Sequence, residues 1–304
     1  MIECVKVCKQ GFSHKAKNKP CQDYAHIIHE NDYYIISVAD GHGGERYFRS
    51  EIGSKIAVEV AEEEIKKRVI AMKPNKGLCK QIDIEQTITV LKQNIVKSWQ
   101  NKIEKHNNST KWSSEELKLI KKLKISFETP TEDKEIENLC DVKLHAMEVL
   151  KCYGTTLLTA LYIPAVNTPF QSIKPLWIVM QIGDGLTFVL DENNEAPSTP
   201  PIPEDENLGF GYTTSLCSSK AAQEFRHSFG RTKLNALVLC SDGVADSFAK
   251  DKFGDFVRKI QENLKEHGQE AVQSELEAYF PKLSEQGSGD DVSLAGVFEV
   301  EEKE

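Results

Sequence analysis

Five aspartate-bearing turns, each pressed against an apolar run of strand length, constrain this chain more than any other feature. Gln22-Asp23 precedes the run that begins at Tyr24. Asp40-Gly41-His42-Gly43-Gly44 follows Tyr33-Tyr34-Ile35-Ile36-Ser37-Val38-Ala39. Gly183-Asp184-Gly185 follows residues 177–182, Asp242-Gly243 follows Leu237-Val238-Leu239-Cys240-Ser241, and Asp290-Asp291 precedes Val292-Ser293-Leu294. The runs are rich in β-branched and large apolar residues, as strands are. Any one Asp-Gly is more often a turn than a ligand. Five of them, all at strand ends, are improbable as separate coincidences.

The remaining pattern groups strands with strands and helices with helices. Tyr24–Ile28 and 33–39 flank a turn at Glu30-Asn31-Asp32. Phe48, Ile52, Ile56 and Val60 recur every fourth residue, and Ile84, Ile88, Leu91, Ile95, Trp99 and Ile103 recur at steps of three or four, which predicts two helices separated at Pro74-Asn75-Lys76-Gly77. A shorter helix is expected at 115–124, with Pro130 interrupting the pattern beyond it. Strands return at 155–163, 176–182, 187–190 and 236–241, helices at 252–266 and 269–280, and a last strand at 292–300. A proline-rich loop covers 196–211. Grouping without regular alternation predicts an α+β layered fold in a single domain.

The chain has 304 residues, enough to bury a core without disulfides or a structural metal. Its eight cysteines include no Cys-x-x-Cys pair, which argues for reduced thiols and against zinc. No signal peptide and no apolar run near the ~20 residues of a spanning helix is visible, so the expected address is the cytoplasm, off the membrane. A net charge of −9 disfavours nucleic acid as a partner. Residues 61–125 run against this trend, with 15 Lys/Arg against 8 Asp/Glu. That stretch is either a solvated helical face or a dock for an acidic partner.

Carboxylates from neighbouring strand ends that met at one point would repel one another unless cations lay between them. All-oxygen ligands favour Mg²⁺, Mn²⁺ or Ca²⁺. Two such ions ~3.5–4 Å apart can share a bridging water, lower its pKa and hold it in line with a phosphorus atom. Phosphate-monoester hydrolysis needs such help, since its catalysed rates exceed the uncatalysed ones by up to about 10²¹-fold. Gly41, Gly43 and Gly44 let backbone approach an ion, and His42 among them could protonate a leaving alkoxide.

At these residues the chain resembles the type 2C metal-dependent protein phosphatases. The motifs are Cys21-Gln22-Asp23, Val38-Ala39-Asp40-Gly41-His42-Gly43-Gly44, Tyr153-Gly154-Thr155-Thr156, Ile182-Gly183-Asp184-Gly185, Cys240-Ser241-Asp242-Gly243-Val244-Ala245-Asp246 and Gly289-Asp290-Asp291-Val292-Ser293, in the family's order. The resemblance implies two stacked antiparallel β-sheets flanked by helix pairs. It implies two Mg²⁺ or Mn²⁺ ions, with a weaker third in some members. By position, Asp23, Asp40, the Gly41 carbonyl, Asp242 and Asp290 match metal ligands, Asp184 matches a ligand of the third ion, and His42 matches the general acid. The segment 197–230 stands where the family carries a flap, and residues 66–141 form a helical insert. The implied reaction is attack by a metal-bridging hydroxide on phosphoserine or phosphothreonine of a protein substrate.

Four positions depart from the family. Asn18 stands where many members have a phosphate-binding arginine, which leaves Lys17 and Lys19, with Lys15 and His14, as candidates for that role. Gln22 replaces glutamate, Gly185 replaces serine, and Asp291 replaces asparagine. With Asp290-Asp291, either acid could reach the metal, and alignment favours Asp290. The missing arginine motivates a competing expectation, a catalytically weak member that binds phosphoproteins or scaffolds a complex.

Overall fold

The computed structural model describes residues 1–30, 33–72, 84–126, 143–168, 171–196, 201–203, 205, 213–249 and 252–300. The turn at Asn31-Asp32, the break at 74–77 and Pro130 lie outside these residues, as do parts of the helical insert and of the 197–230 segment.

The first half of the chain runs β1 (Ile2–Lys9), α1 (Phe12–Ala16), β2 (Asp23–Glu30), β3 (Tyr33–Asp40), α2 (Ser50–Met72), α3 (Ile84–Ser109), α4 (Ser114–Lys122) and α5 (Ala146–Cys152). The second half runs β4 (Leu157–Ile163), β5 (Val166–Thr168), β6 (Gln171–Ile173), β7 (Leu176–Ile182), β8 (Leu186–Asp191), α6 (Ala221–Glu224), β9 (Arg226–Gly230), β10 (Leu234–Cys240), α7 (Asp242–Ala245), α8 (Phe253–His267), α9 (Gln269–Gln286) and β11 (Val292–Glu299). One sheet has the order β1-β11-β10-β8 and the other β2-β3-β4-β7-β9; β5 and β6 form a small hairpin of their own. All pairings in the two large sheets are antiparallel.

Strand alternation builds three apolar layers from this order. In β3, Tyr34, Ile36 and Val38 face the other sheet, while Tyr33, Ile35 and Ala39 face helices. In β10, Leu237 and Leu239 fill the space between the sheets, and Ala236, Val238 and Cys240 pack with α8 and α9. Each fully buried Ile or Leu contributes about 1.5–3 kcal/mol. The helical faces match: Ile88, Leu91, Ile95, Trp99 and Ile103 of α3 are all buried, and the Trp99 indole N–H donates to the Gly53 carbonyl of α2 at 3.0 Å. The outcome is an α-β-β-α sandwich.

A buried arginine ties α4 to the strand layer. Ser113 caps α4 in a reciprocal box with Glu116. The Glu116 carboxylate accepts from Arg49, whose guanidinium also donates to the Tyr153 hydroxyl at 2.6 Å and stacks 4.0 Å over Trp112. Tyr153 thereby holds α4 close to the Gly154-Thr155-Thr156 turn.

The short α1, α5, α6 and α7 and the β5–β6 hairpin are not expected from the sequence, and two further elements differ from expectation. Helix α9 continues past Phe280, through Pro281, to Gln286. The proline forfeits one helical hydrogen bond, and the last turn is held by buried Leu283 and Ser284. The end of the 197–230 segment is β9, the edge strand beside β7, a short run whose polar residues hid it. No helix among the described residues is long and apolar enough to cross a membrane.

Candidate active site

The strand ends do converge. Asp23 opens β2 and Asp40 closes β3, and the two are direct cross-strand partners. Asp242 follows β10 and Asp290 precedes β11, the neighbouring strands of the other sheet. Asp184 lies in the turn between β7 and β8. Asp40, Asp184, Asp242 and Asp290 line one cavity of ≈ 640 Å³, together with Gly41, His42 and Gly43. Asp23 is buried among them, with one carboxylate oxygen accepting from the Ser293 hydroxyl at 2.6 Å and the other without a partner.

The Gly-Thr-Thr string positions Asp40. The Asp40 N–H donates to the Thr156 hydroxyl at 3.0 Å, and its carbonyl accepts from the Thr155 hydroxyl and the Thr156 N–H, each at 2.8 Å. Gly41 then passes where a side chain has no room: a Cβ would come 2.7 Å from the carbonyl oxygens of Gln22 and Ser50.

Electrostatically this floor is under strain. Burial pushes Asp23 up to about 7, offset in part by its bond to Ser293 and reinforced by the Asp291 charge. Asp40 is raised well above the carboxylate range, first by burial and then by the charges of Asp23 and Asp242. Asp242 is pushed up to about 6 by burial and by Asp184. Like charges gathered at strand ends, buried at Asp23 and half-buried at Asp40 and Asp242, offer only oxygens, the ligand type that hard divalent cations take.

His42 forms the wall above. Its Nε2 lies 2.7 Å from the Ser215 Oγ, which also lies 3.1 Å from the Thr155 carbonyl. A carbonyl only accepts, so the serine proton goes to Thr155 and Nε2 carries the proton that meets Ser215. Burial lowers His42 to about 4, against a smaller upward pull from Asp184. Sequence reading missed Ser215, since nothing in its segment marks it as a partner of a histidine 173 residues away.

The two acids of the Asp290-Asp291 pair have different surroundings. Asp291 is buried and accepts from the Gly11 and Gln22 N–H groups, both at 2.6 Å. His14 Nδ1 lies 3.0 Å from the same carboxylate, close enough for an ion pair. These contacts hold Asp291 below the usual carboxylate range, against the cost of burial, and raise His14. Asp290 keeps its side chain about half exposed and faces the cavity. His14, Asp290 and Asp291 thus form a tight acid–histidine cluster in which one carboxylate is already saturated by backbone.

The other departures also have local causes. Asn18 adopts a left-handed φ of 53°, which asparagine tolerates better than most residues, and is exposed. The Gln22 amide donates to the His42 carbonyl at 3.0 Å and to the Ser50 hydroxyl, places where a carboxylate would meet acceptors. A Cβ on Gly185 would lie 2.6 Å from the Cys240 carbonyl and 2.9 Å from Leu158, so serine does not fit without a shift. Lys17 is exposed and outside the cavity wall. The Lys19 ammonium donates to the Gly43 carbonyl at 2.7 Å, at the rim. The lysine that does line the cavity is Lys151, which the sequence did not single out.

A sequence model of the protein phosphatase 2C family matches residues 10–280. No curated protein matches the sequence. Among solved structures, the chain is similar to a bacterial serine phosphatase, at 13% identity and a TM-score of 0.52, with both chains covered completely. It is similar to the Mycobacterium tuberculosis serine/threonine phosphatase PstP/Ppp, at 12% identity, a TM-score of 0.50 and 99% of both chains. It also matches a C. elegans sex determining protein at 15% identity and a TM-score of 0.48, over 98% of this chain and 64% of that one. At such identities the structural likenesses establish the fold alone. The chain belongs to the protein phosphatase 2C family, and with it to the metal-dependent protein phosphatases.

Proposed function

We propose that the protein hydrolyses phosphoserine or phosphothreonine in other proteins, using two Mg²⁺ or Mn²⁺ ions held at the strand ends. The observation that carries this reading is the floor of buried Asp23 and half-buried Asp40 and Asp242, all raised in pKa, in a cavity that Asp184 and Asp290 complete. Asp23, Asp40, Asp242, Asp290 and the Gly41 carbonyl are the groups assigned to two ions, and Asp184 to a third. When bound, such ions supply an activated water and neutralise the phosphoryl oxygens.

The chain's own residues do the rest. Paired strands keep the floor in place, so its oxygens need no rearrangement to meet cations. His42, as the imidazolium, gives the leaving alkoxide the proton of the ring nitrogen that Ser215 does not engage, and returns to the neutral ring whose Nε2–H meets Ser215. A dianionic phosphate beside the ring favours the imidazolium, which offsets the lowering by burial. Thr155 and Ser215 keep the ring turned toward the substrate.

The direct test is hydrolysis of para-nitrophenyl phosphate by purified protein stripped with EDTA, with Mn²⁺ or Mg²⁺ restored. Activity that returns with metal supports the reading. Folded protein that stays inactive with both ions would overturn it and favour a phosphoprotein-binding role.

A further inference from the structure

The cavity wall continues into a second recess. Met147, on α5, lines the cavity, and it also lines a recess of ≈ 450 Å³ between α3 and α5. Among the described residues it is one of few large apolar side chains left exposed, at 40%. The far wall of the recess is polar, with Asn101, Asn107 and Asn108 and the one carboxylate of Glu104 on α3. The asparagine side chains both donate and accept, which suits the main chain of an extended peptide.

Cations flank the crossing. Lys151 lies one helical turn beyond Met147 and lines the cavity, and Lys143, before α5, lines the recess. The Lys151 ammonium pairs with Glu148 at 3.1 Å, but Arg46 shares that carboxylate, so the trio keeps a positive charge. The cavity walls themselves are acidic at Asp40, Asp184, Asp242 and Asp290. An acidic side chain near the phosphorylated residue would find its attraction here and repulsion on the floor.

We propose that the substrate polypeptide flanking the phosphorylated residue crosses Met147 and lies extended in the recess between α3 and α5, with an acidic side chain beside Lys151. This rests on the phosphatase reading above. A phosphorylated residue within a protein brings chain with it, and Met147 makes this recess continuous with the cavity.

The test compares a phosphopeptide of about ten residues, with and without an acidic flank, against para-nitrophenyl phosphate, in the Mn²⁺-loaded protein. Asn108→Trp fills the recess from an exposed helical position, and Met147→Glu puts repulsion at the crossing. Both should lower the peptide to para-nitrophenyl phosphate ratio of kcat/KM at least fivefold, and Lys151→Ala should erase the preference for the acidic flank. Equal effects on both substrates, or none, would overturn the proposal. Fluorescence anisotropy with a labelled phosphonate analogue of the peptide reads binding without turnover. If the parent protein turns over nothing, the phosphatase reading fails, while undiminished peptide binding by both variants rejects the recess.

Discussion

The floor and the roof of the cavity are built in opposite ways. The floor stands on paired strands, with Asp23 and Asp40 in register and Asp242 and Asp290 at the ends of adjoining strands. Its backbone is fixed and its side chains repel. The roof, at residues 213–219, has little regular structure and is tied by side-chain bonds to residues 203 and 205. Thr214 donates to Asp205 at 2.7 Å and accepts from the Gly183 N–H at 2.9 Å. Arg226 donates to the Pro203 carbonyl at 2.8 Å and to the Gly183 carbonyl, and lies 3.6 Å from Asp205. Electrostatic strain is therefore confined to the side of the cavity that the fold makes rigid. Rigid backbone is what allows the strain, because a loop bearing the same carboxylates would move apart.

The largest expected effect of breaking this contrast is at Asp242. Asp242→Asn should lower metal-dependent turnover at least a hundredfold while raising the melting temperature of the metal-free protein, since it removes one of three crowded like charges. Near-normal turnover would take Asp242 out of the metal site. His42→Ala, on the wall between floor and roof, should cost alkyl phosphates about a hundredfold and para-nitrophenyl phosphate much less. Equal losses on both substrates would contradict a proton donor at His42.

A sharper contrast lies between neighbours. Asp291→Ala should destabilise the fold by about 2 kcal/mol in urea unfolding, because it leaves the Gly11 and Gln22 N–H groups without their acceptor. Asp290→Ala should cost far less stability. Equal destabilisation would erase the distinction drawn here between an acid that braces the chain and one that faces the cavity.

The smallest effect is in pH. Asp23, Asp40 and Asp242 have folded pKa values above their unfolded ones, so the folded state holds extra protons from about pH 4 to about pH 7. Their contribution to stability is present at low pH and is lost as pH rises through the folded values. His42, lowered to about 4, and His106, also lowered by burial, pull the other way below about pH 6.5, while His14, raised beside Asp291, acts with the three carboxylates. Metal-free protein should melt roughly 2–4 °C higher at about pH 5.5 than at about pH 7.5, and Mn²⁺ should abolish the difference. A melting temperature that rises with pH in metal-free protein would show that the floor is not strained.

Much of this molecule follows from local pattern. The apolar run at residues 33–39 and the three- and four-residue steps from Ile84 to Ile103 follow from strand and helix geometry, so they can be read without knowing any neighbour. The aspartates that end those strands are equally visible, because a strand end stays a strand end in any packing. Only the tertiary structure decided which of Asp290 and Asp291 faces the cavity, since the deciding N–H donors are 269 and 280 residues away. It alone joined Ser215 to His42 and brought Lys151 to the cavity wall while Lys17 stayed outside. The physical reason is range: period and propensity act over a few residues, whereas the aim of a side chain in a turn is set by whatever donors and charges the completed fold puts against it.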